Sequence, residues 1–93
     1  MRWIWDETKA KSNLLKHKVS FQLAERALGE PLALTVRNSF PDEVRWTTLG
    51  SPSAECAVVL YVVHTWPEDE AEAGRIISAK KATTQERKAY EER

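Results

Sequence analysis

Apolar positions change period several times along the chain, and each change marks an element. Trp3, Ile4 and Trp5 form a short run of strand-favouring residues, followed by Asp6, which has the type and position of a helix N-cap. The helix it opens runs to about His17. Ala10, Asn13, Leu14 and His17 recur at spacings of three and four and so share a face, while Lys9, Lys11 and Lys16 lie along its edges and back. Ser20 caps a second helix with an apolar stripe of Phe21, Ala24, Ala27 and Leu28, and Gly29 followed by Pro31 stops it. Leu32 to Val36 then reads as a strand, Asn38 to Asp42 as a turn containing Pro41, and Val44 to Leu49 as a second strand ending at Gly50. Gly50 to Glu55, rich in Ser and Pro, is the next turn.

Ala57 to Thr65 is almost wholly apolar, the pattern of a central strand covered on both faces. Pro67 to Ala73 is an acidic loop joining it to the last strand, Gly74 to Lys80. A regular pleat there puts Arg75, Ile77 and Ala79 on one face and Ile76, Ser78 and Lys80 on the other. Thr83 with Glu86 three residues on is a capping-box signature for a C-terminal helix to about Glu92, which offers only Ala82, Ala89 and Tyr90 for packing. The order predicts one α+β domain over residues 1–93. It comprises an N-terminal strand, two short helices, an antiparallel sheet of about four further strands and a C-terminal helix.

With 42% hydrophobic and 30% charged residues in 93, the composition is that of one compact globular domain with a single core. The longest apolar run, Ala57 to Val63, is far short of the ~20 residues of a membrane span, and the first residues lack the apolar stretch of a secretory signal. A cytoplasmic protein is expected. One cysteine, Cys56, has no second thiol for a disulfide or a zinc site and reads as a small buried hydrophobe.

Charge changes this picture more than composition does. The 14 basic and 14 acidic residues cancel, yet they are segregated. Residues 1–18 carry five basic against two acidic residues, residues 75–93 six against three, and the stretch between them three against nine. Both ends are cationic, so if the fold sets them side by side they form one surface suited to phosphate.

Two blocks carry a family resemblance: Trp5-Asp6-x-x-Lys9-x-x-x-Asn13-x-x-Lys16-His17-x-Val19-Ser20-Phe21, and Arg75-Ile76-Ile77-Ser78-Ala79-Lys80-Lys81-Ala82-Thr83-x-x-Glu86-Arg87-x-x-Tyr90-Glu91. Between them, Pro31-Leu32-Ala33-Leu34, Arg45-Trp46 and Val62-Val63-His64-Thr65 fall at matching positions. In their joint order and spacing these resemble the BrnT toxins of type II toxin–antitoxin pairs. The resemblance implies a RelE-like fold, a ribonuclease that blocks translation, and neutralisation by a small DNA-binding antitoxin of the BrnA kind in a two-plus-two complex that represses its own operon. Three departures stand out: Lys18 where the family usually has Gly, Lys80 where it usually has Arg, and the acidic loop of Glu68, Asp69, Glu70 and Glu72. A lysine lacks the planar two-point phosphate grip of arginine.

RNA cleavage without a metal needs a base for the 2′-hydroxyl proton, an acid for the leaving oxygen and cations around the phosphorane. Near its basic ends the chain offers Lys, His, Tyr and Arg for these tasks and no carboxylate cluster with metal spacing, so neither a metal nor another cofactor is expected. Arg75 is the leading phosphate contact, with a solvated strand-end charge as the plain alternative. Arg75 and Lys80 can serve one site only if the strand twists, bulges or ends between them. Arg45 can join the same face or pair with Glu43 or Glu55. His64, at the end of the apolar strand, and His17, in the last turn of its helix, are the candidates for proton transfer; each also fits a structural histidine. Lys9, Lys16, Lys81, Arg87 and Tyr90 complete the candidate RNA contacts, Tyr90 doubling as an anchor for the C-terminal helix. The rival reading is a noncatalytic module that binds nucleic acid through its basic ends and docks a basic protein on Trp66 and the acidic loop.

Overall fold

A computed structural model of the chain describes residues 2–39, 43–55 and 57–93. Most of the expected turn after Asn38, and Cys56 with its expected burial, lie outside the described residues. Within them the elements run β1 (Trp3–Ile4), α1 (Glu7–His17), α2 (Phe21–Leu28), β2 (Leu34–Ser39), β3 (Val44–Gly50), β4 (Leu60–His64), β5 (Gly74–Lys81) and α3 (Thr84–Glu91).

Local signals act where the sequence places them. The Asp6 carboxylate accepts from the amides of Thr8 and Lys9 at 2.8 and 3.2 Å, and the Ser20 hydroxyl accepts from Leu23 N at 3.1 Å. Thr83 and Glu86 close the reciprocal capping box of α3. The left-handed cap is Lys18, at φ 61°, whereas Gly29 ends α2 at φ −86°, where any residue fits. The side chain of Lys18 sits in a conformation that costs it about 1 kcal/mol and costs glycine nothing. Lys18→Gly is therefore expected to raise the melting temperature by roughly 4–8 °C, as about 1 kcal/mol does in a domain of this size, read by circular dichroism. An unchanged or lowered midpoint would show that the turn is not strained.

The sheet order is β1-β5-β4-β3-β2. β1 runs parallel to β5, pairing Trp3 with Gly74 and Ile4 with Arg75, and every other neighbouring pair is antiparallel. β2 begins at Leu34 rather than Leu32. Pro31 and Leu32 occupy a turn closed by Ala33 N donating to Glu30 O at 3.2 Å, and Leu32 is exposed. β4 is central, as expected, but it is shorter than Ala57 to Thr65 and is sealed on one face only. Leu60, Val62 and His64 are buried, while Tyr61 and Val63 remain half-exposed.

That sealed face lies under α1 and α2. α2 packs over β5, β3 and β4, and α1 over β5, enclosing Val19, Phe21, Ala24, Ala27, Leu60, Val62, Ile76 and Ala79. A fully buried aromatic or aliphatic side chain such as Phe21 or Leu60 contributes roughly 1.5–3 kcal/mol by leaving water. α2 lies so close that a Cβ on Gly50 would stand 2.5 Å from Ala27 O. The opposite face is covered at one end by α3, which buries none of its residues and leaves a groove lined by Leu34, Val36, Leu49, Tyr61 and Ala89. Tyr90 anchors that helix: its hydroxyl donates to the Glu30 carboxylate, whose oxygens lie 2.5 and 2.8 Å away, and the Arg93 guanidinium stacks 3.8 Å over its ring. No helix is long and apolar enough to cross a membrane among the described residues.

Candidate functional site

The last strand decides which basic residues meet. Val63 pairs with Ser78 but His64 pairs with Ile76, so Ile77 is an extra residue, a β-bulge in β5. One inserted residue reverses the alternation beyond it. Ile76 and Ala79 consequently both face the helices and are buried, and Arg75, Ser78 and Lys80 share the open face. The regular pleat expected from the sequence, with Arg75 and Lys80 on opposite faces, is corrected by this bulge.

On the open face Arg75 reaches across β4 toward the start of β3. Its guanidinium lies 3.5 Å from one oxygen of Glu43, whose other oxygen accepts from Arg45 Nε at 2.8 Å. Lys9, on the first turns of α1, adds its field to the same carboxylate. The hydrogen bond from Arg45 holds the Glu43 carboxyl below its ordinary value. Partial burial opposes this, and the charges of Arg45, Arg75 and Lys9 reinforce it. Among the described residues, two arginines thus flank one carboxylate within the field of Lys9, on a surface that is about one-third to one-half exposed.

Lys80 lies on the same face, about four strand steps or ~13 Å along it. Its ammonium is 3.0 Å from Glu86 of α3 and 4.5 Å over the Tyr61 ring. Burial raises the Glu86 carboxyl, but the Thr83 amide and Lys80 outweigh it, so Glu86 stays ionised and the pair binds α3 to the sheet. Lys81 ends β5 exposed, and the alternation directs it to the other side. Lys16 is exposed on α1, and Arg87 pairs with Glu91 one helical turn away at 3.2 Å. Tyr90 is committed to Glu30, its hydroxyl pushed above the usual phenol value by burial and by that carboxylate.

Neither histidine joins the cluster. His17 is half-buried in the last turn of α1. His64 neighbours Arg75 through the backbone, where Thr65 N donates to Arg75 O at 2.9 Å, yet its side chain points to the helix side and is 1% exposed. Trp3 meets it edge-on at 5.0 Å and Trp66 at 6.0 Å. Nδ1 lies 2.9 Å from Thr65 O and must carry the proton, leaving Nε2 to accept from Thr48 Oγ1 at 2.7 Å, which in turn accepts from Thr35 Oγ1 at 2.9 Å. Burial lowers the pKa of the ring, outweighing the Thr65 carbonyl, so the neutral form is the folded one.

Trp66 is partly exposed against Trp46, ring centroids 5.2 Å apart, over a groove of about 370 Å³ lined by Arg37, Glu68 and Glu72. Among the described residues, no three His, Cys, Asp or Glu side chains converge as a metal site requires. Sequence reasoning named Arg75, Arg45, Lys9 and Lys80 but treated Glu43 only as a partner for Arg45. The signal for more was the Glu43-x-Arg45 spacing, which puts acid and base on one face of a strand.

Residues 5–86 match the family described as the ribonuclease toxin BrnT of type II toxin–antitoxin systems. Among solved structures the fold is similar to the crystal structure of the Brucella abortus ribonuclease toxin BrnT. The two chains are 26% identical with a TM-score of 0.64, over 90% of this chain and 99% of that one. No curated protein matches the chain.

Proposed function

The chain belongs to the BrnT family of ribonuclease toxins of type II toxin–antitoxin systems, and from that premise we propose that it is a metal-independent endoribonuclease whose open sheet face grips RNA through Arg75, Arg45 and Lys9. The observation that carries this reading is the meeting of Arg75 from β5 and Arg45 from β3 at Glu43, within the field of Lys9 from α1. Arginines present planar donors to phosphate oxygens, and their charge is worth most when negative charge builds on the phosphorane. Lys80, on the same face, extends the cationic track along the strand for the flanking phosphates. A shallow, exposed site of this kind suits a flexible single strand better than a small molecule, which needs an enclosing cavity.

In the cell the activity acts in the cytoplasm on RNA and so inhibits translation. A cognate DNA-binding antitoxin silences it, two toxins with two antitoxins, by covering the cationic face. Purified protein is expected to cleave single-stranded RNA in excess EDTA, with affinity falling steeply as salt rises. Folded protein that yields no product, or product that disappears on adding EDTA, would sink the proposal. The groove beside Trp66 supports a second reading, a noncatalytic binding module; RNA retained without cleavage over hours favours that reading, and turnover excludes it.

A further inference from the structure

The basic residues of the open face supply cations but no proton acceptor, since arginine and lysine are protonated at neutral pH. The candidates read from the sequence lie off this cluster. His64 is enclosed on the helix side with both ring nitrogens engaged, the Tyr90 hydroxyl is spent on Glu30, and His17 ends α1 away from the cluster. The group that stands between the arginines is Glu43.

We infer that the Glu43 carboxylate is the general base of the reaction, taking the proton from the ribose 2′-hydroxyl next to a phosphodiester held by Arg45 and Arg75. This inference rests on the ribonuclease reading of the face. Its geometry is that of a carboxylate with one oxygen secured and one available. Oε1 is fixed by Arg45 Nε at 2.8 Å, while Oε2 has, among the described residues, only the long 3.5 Å contact with Arg75, and the side chain is about one-third exposed. A ribose hydroxyl can therefore approach Oε2 as Arg75, itself half-exposed, turns from carboxylate to phosphate.

The step balances without a further reactant. The O2′–H bond breaks and its proton passes to Glu43. The 2′-oxygen bonds to phosphorus, the P–O5′ bond breaks, and the departing 5′-oxygen takes a proton from water. The products are a 2′,3′-cyclic phosphate and a 5′-hydroxyl, and Glu43 returns its proton to solvent. Net charge within the cluster is unchanged throughout, because one negative charge moves from Glu43 to the phosphorane between the same cations. Arg45 and Arg75 exchange one anionic partner for another. The cations that keep Glu43 ionised in the resting enzyme thus favour the transition state once the charge has moved, which offsets the weak basicity of a carboxylate with a lowered pKa.

The sign of the pH dependence follows. Glu43 faces Arg45 on its own strand, Arg75 from β5 and Lys9 from α1, all cationic at neutral pH, so it is ionised there and loses its charge only below the ordinary carboxylate range. A histidine base would instead lose activity below about pH 6.5.

The test uses the full chain, a labelled single-stranded oligoribonucleotide, excess EDTA and single-turnover conditions. Glu43→Gln keeps the size of the side chain and an acceptor for Arg45, and it is expected to cut about 10²–10⁴-fold more slowly. RNA binding should be equal or tighter, since a negative charge has left the face. The unsubstituted chain should hold its rate from neutral pH down to the carboxylate range, whereas the residual rate of Glu43→Gln should rise about tenfold per pH unit as hydroxide takes over. Glu43→Asp should recover part of the activity, and the 5′ fragments should end in cyclic phosphate. Cleavage by Glu43→Gln within about threefold of the unsubstituted rate overturns the assignment to Glu43 alone, provided Arg75→Ala is impaired. A loss that is equal at every pH, with the profile unchanged, also overturns it, because it would mark Glu43 as only positioning the arginines. An acid limb near pH 6.5 does the same in favour of a histidine. Failure of the unsubstituted chain to cleave RNA overturns the ribonuclease reading and this inference with it.

Discussion

Arg75→Ala is expected to slow RNA cleavage by about 10²–10³-fold, the loss typical of removing one charged donor from a site where negative charge develops. The fold should survive the change. Arg75 is about half-exposed at the start of β5, its contact with Glu43 is a long surface pair, and such pairs contribute 1 kcal/mol or less. Rate and stability are therefore separable here, and a single-turnover assay beside a urea titration reads both. Arg75→Lys keeps the charge but not the planar fork, and should fall between the two. Losing one phosphate contact should also lower the slope of log affinity against log salt by about one unit. Cleavage at the unsubstituted rate by Arg75→Ala would remove Arg75 from the site and leave the open face without its leading cation.

Asn13→Leu is the substitution expected to cost most stability. Asn13 is the buried polar residue of α1, 7% exposed. Its Nδ2 donates to Val19 O at 2.9 Å and to Ala79 O at 2.8 Å, and its Oδ1 accepts from Ala79 N at 3.1 Å. The reason lies in the shortness of β1, which pairs β5 only as far as Arg75. Beyond that point the outer edge of β5 has no strand beside it among the described residues, and the Asn13 amide offers Ala79 the donor and acceptor a neighbouring strand would have offered. Its third bond ties the turn between α1 and α2. Leucine fills similar space but strands three buried backbone groups, each costing roughly 1–3 kcal/mol, so a loss of at least ~3 kcal/mol is expected. That is a large share of the ~5–15 kcal/mol a domain of this kind possesses. Urea unfolding followed by circular dichroism measures it. A loss under about 1 kcal/mol would mean that water or a backbone shift satisfies Ala79 without the asparagine.

These two residues show different kinds of legibility. Asn13 was visible as a polar residue sharing a helix face with Ala10, Leu14 and His17, and Arg75 as the leading phosphate contact, but the partners of neither were. Asn13 acts on a residue 66 positions away, and no local pattern records that β1 is too short to cover the edge. Arg75 meets Glu43 on the same face as Lys80 only because a bulge at Ile77 turns the strand over between them. His64 takes the structural one of its two expected places. Its backbone neighbours Arg75, but pleating sends the two side chains to opposite sides of the sheet, one into the core and one to solvent.

By itself the sequence determined the family, the α+β element order, and the caps at Asp6, Ser20 and Thr83, because a cap is a contact between a side chain and amides two or three residues on. It also determined that positive charge would collect at the two ends of the chain. Only the tertiary structure decided that β1 lies parallel beside β5, that Arg45 and Arg75 meet at Glu43, and that the His64 side chain lies off that face. Those outcomes depend on strand register, and a slip of one residue sends every later side chain to the other face. The core packed under α1 and α2 sets that register, with Ile76 and Ala79 both buried on either side of the bulge.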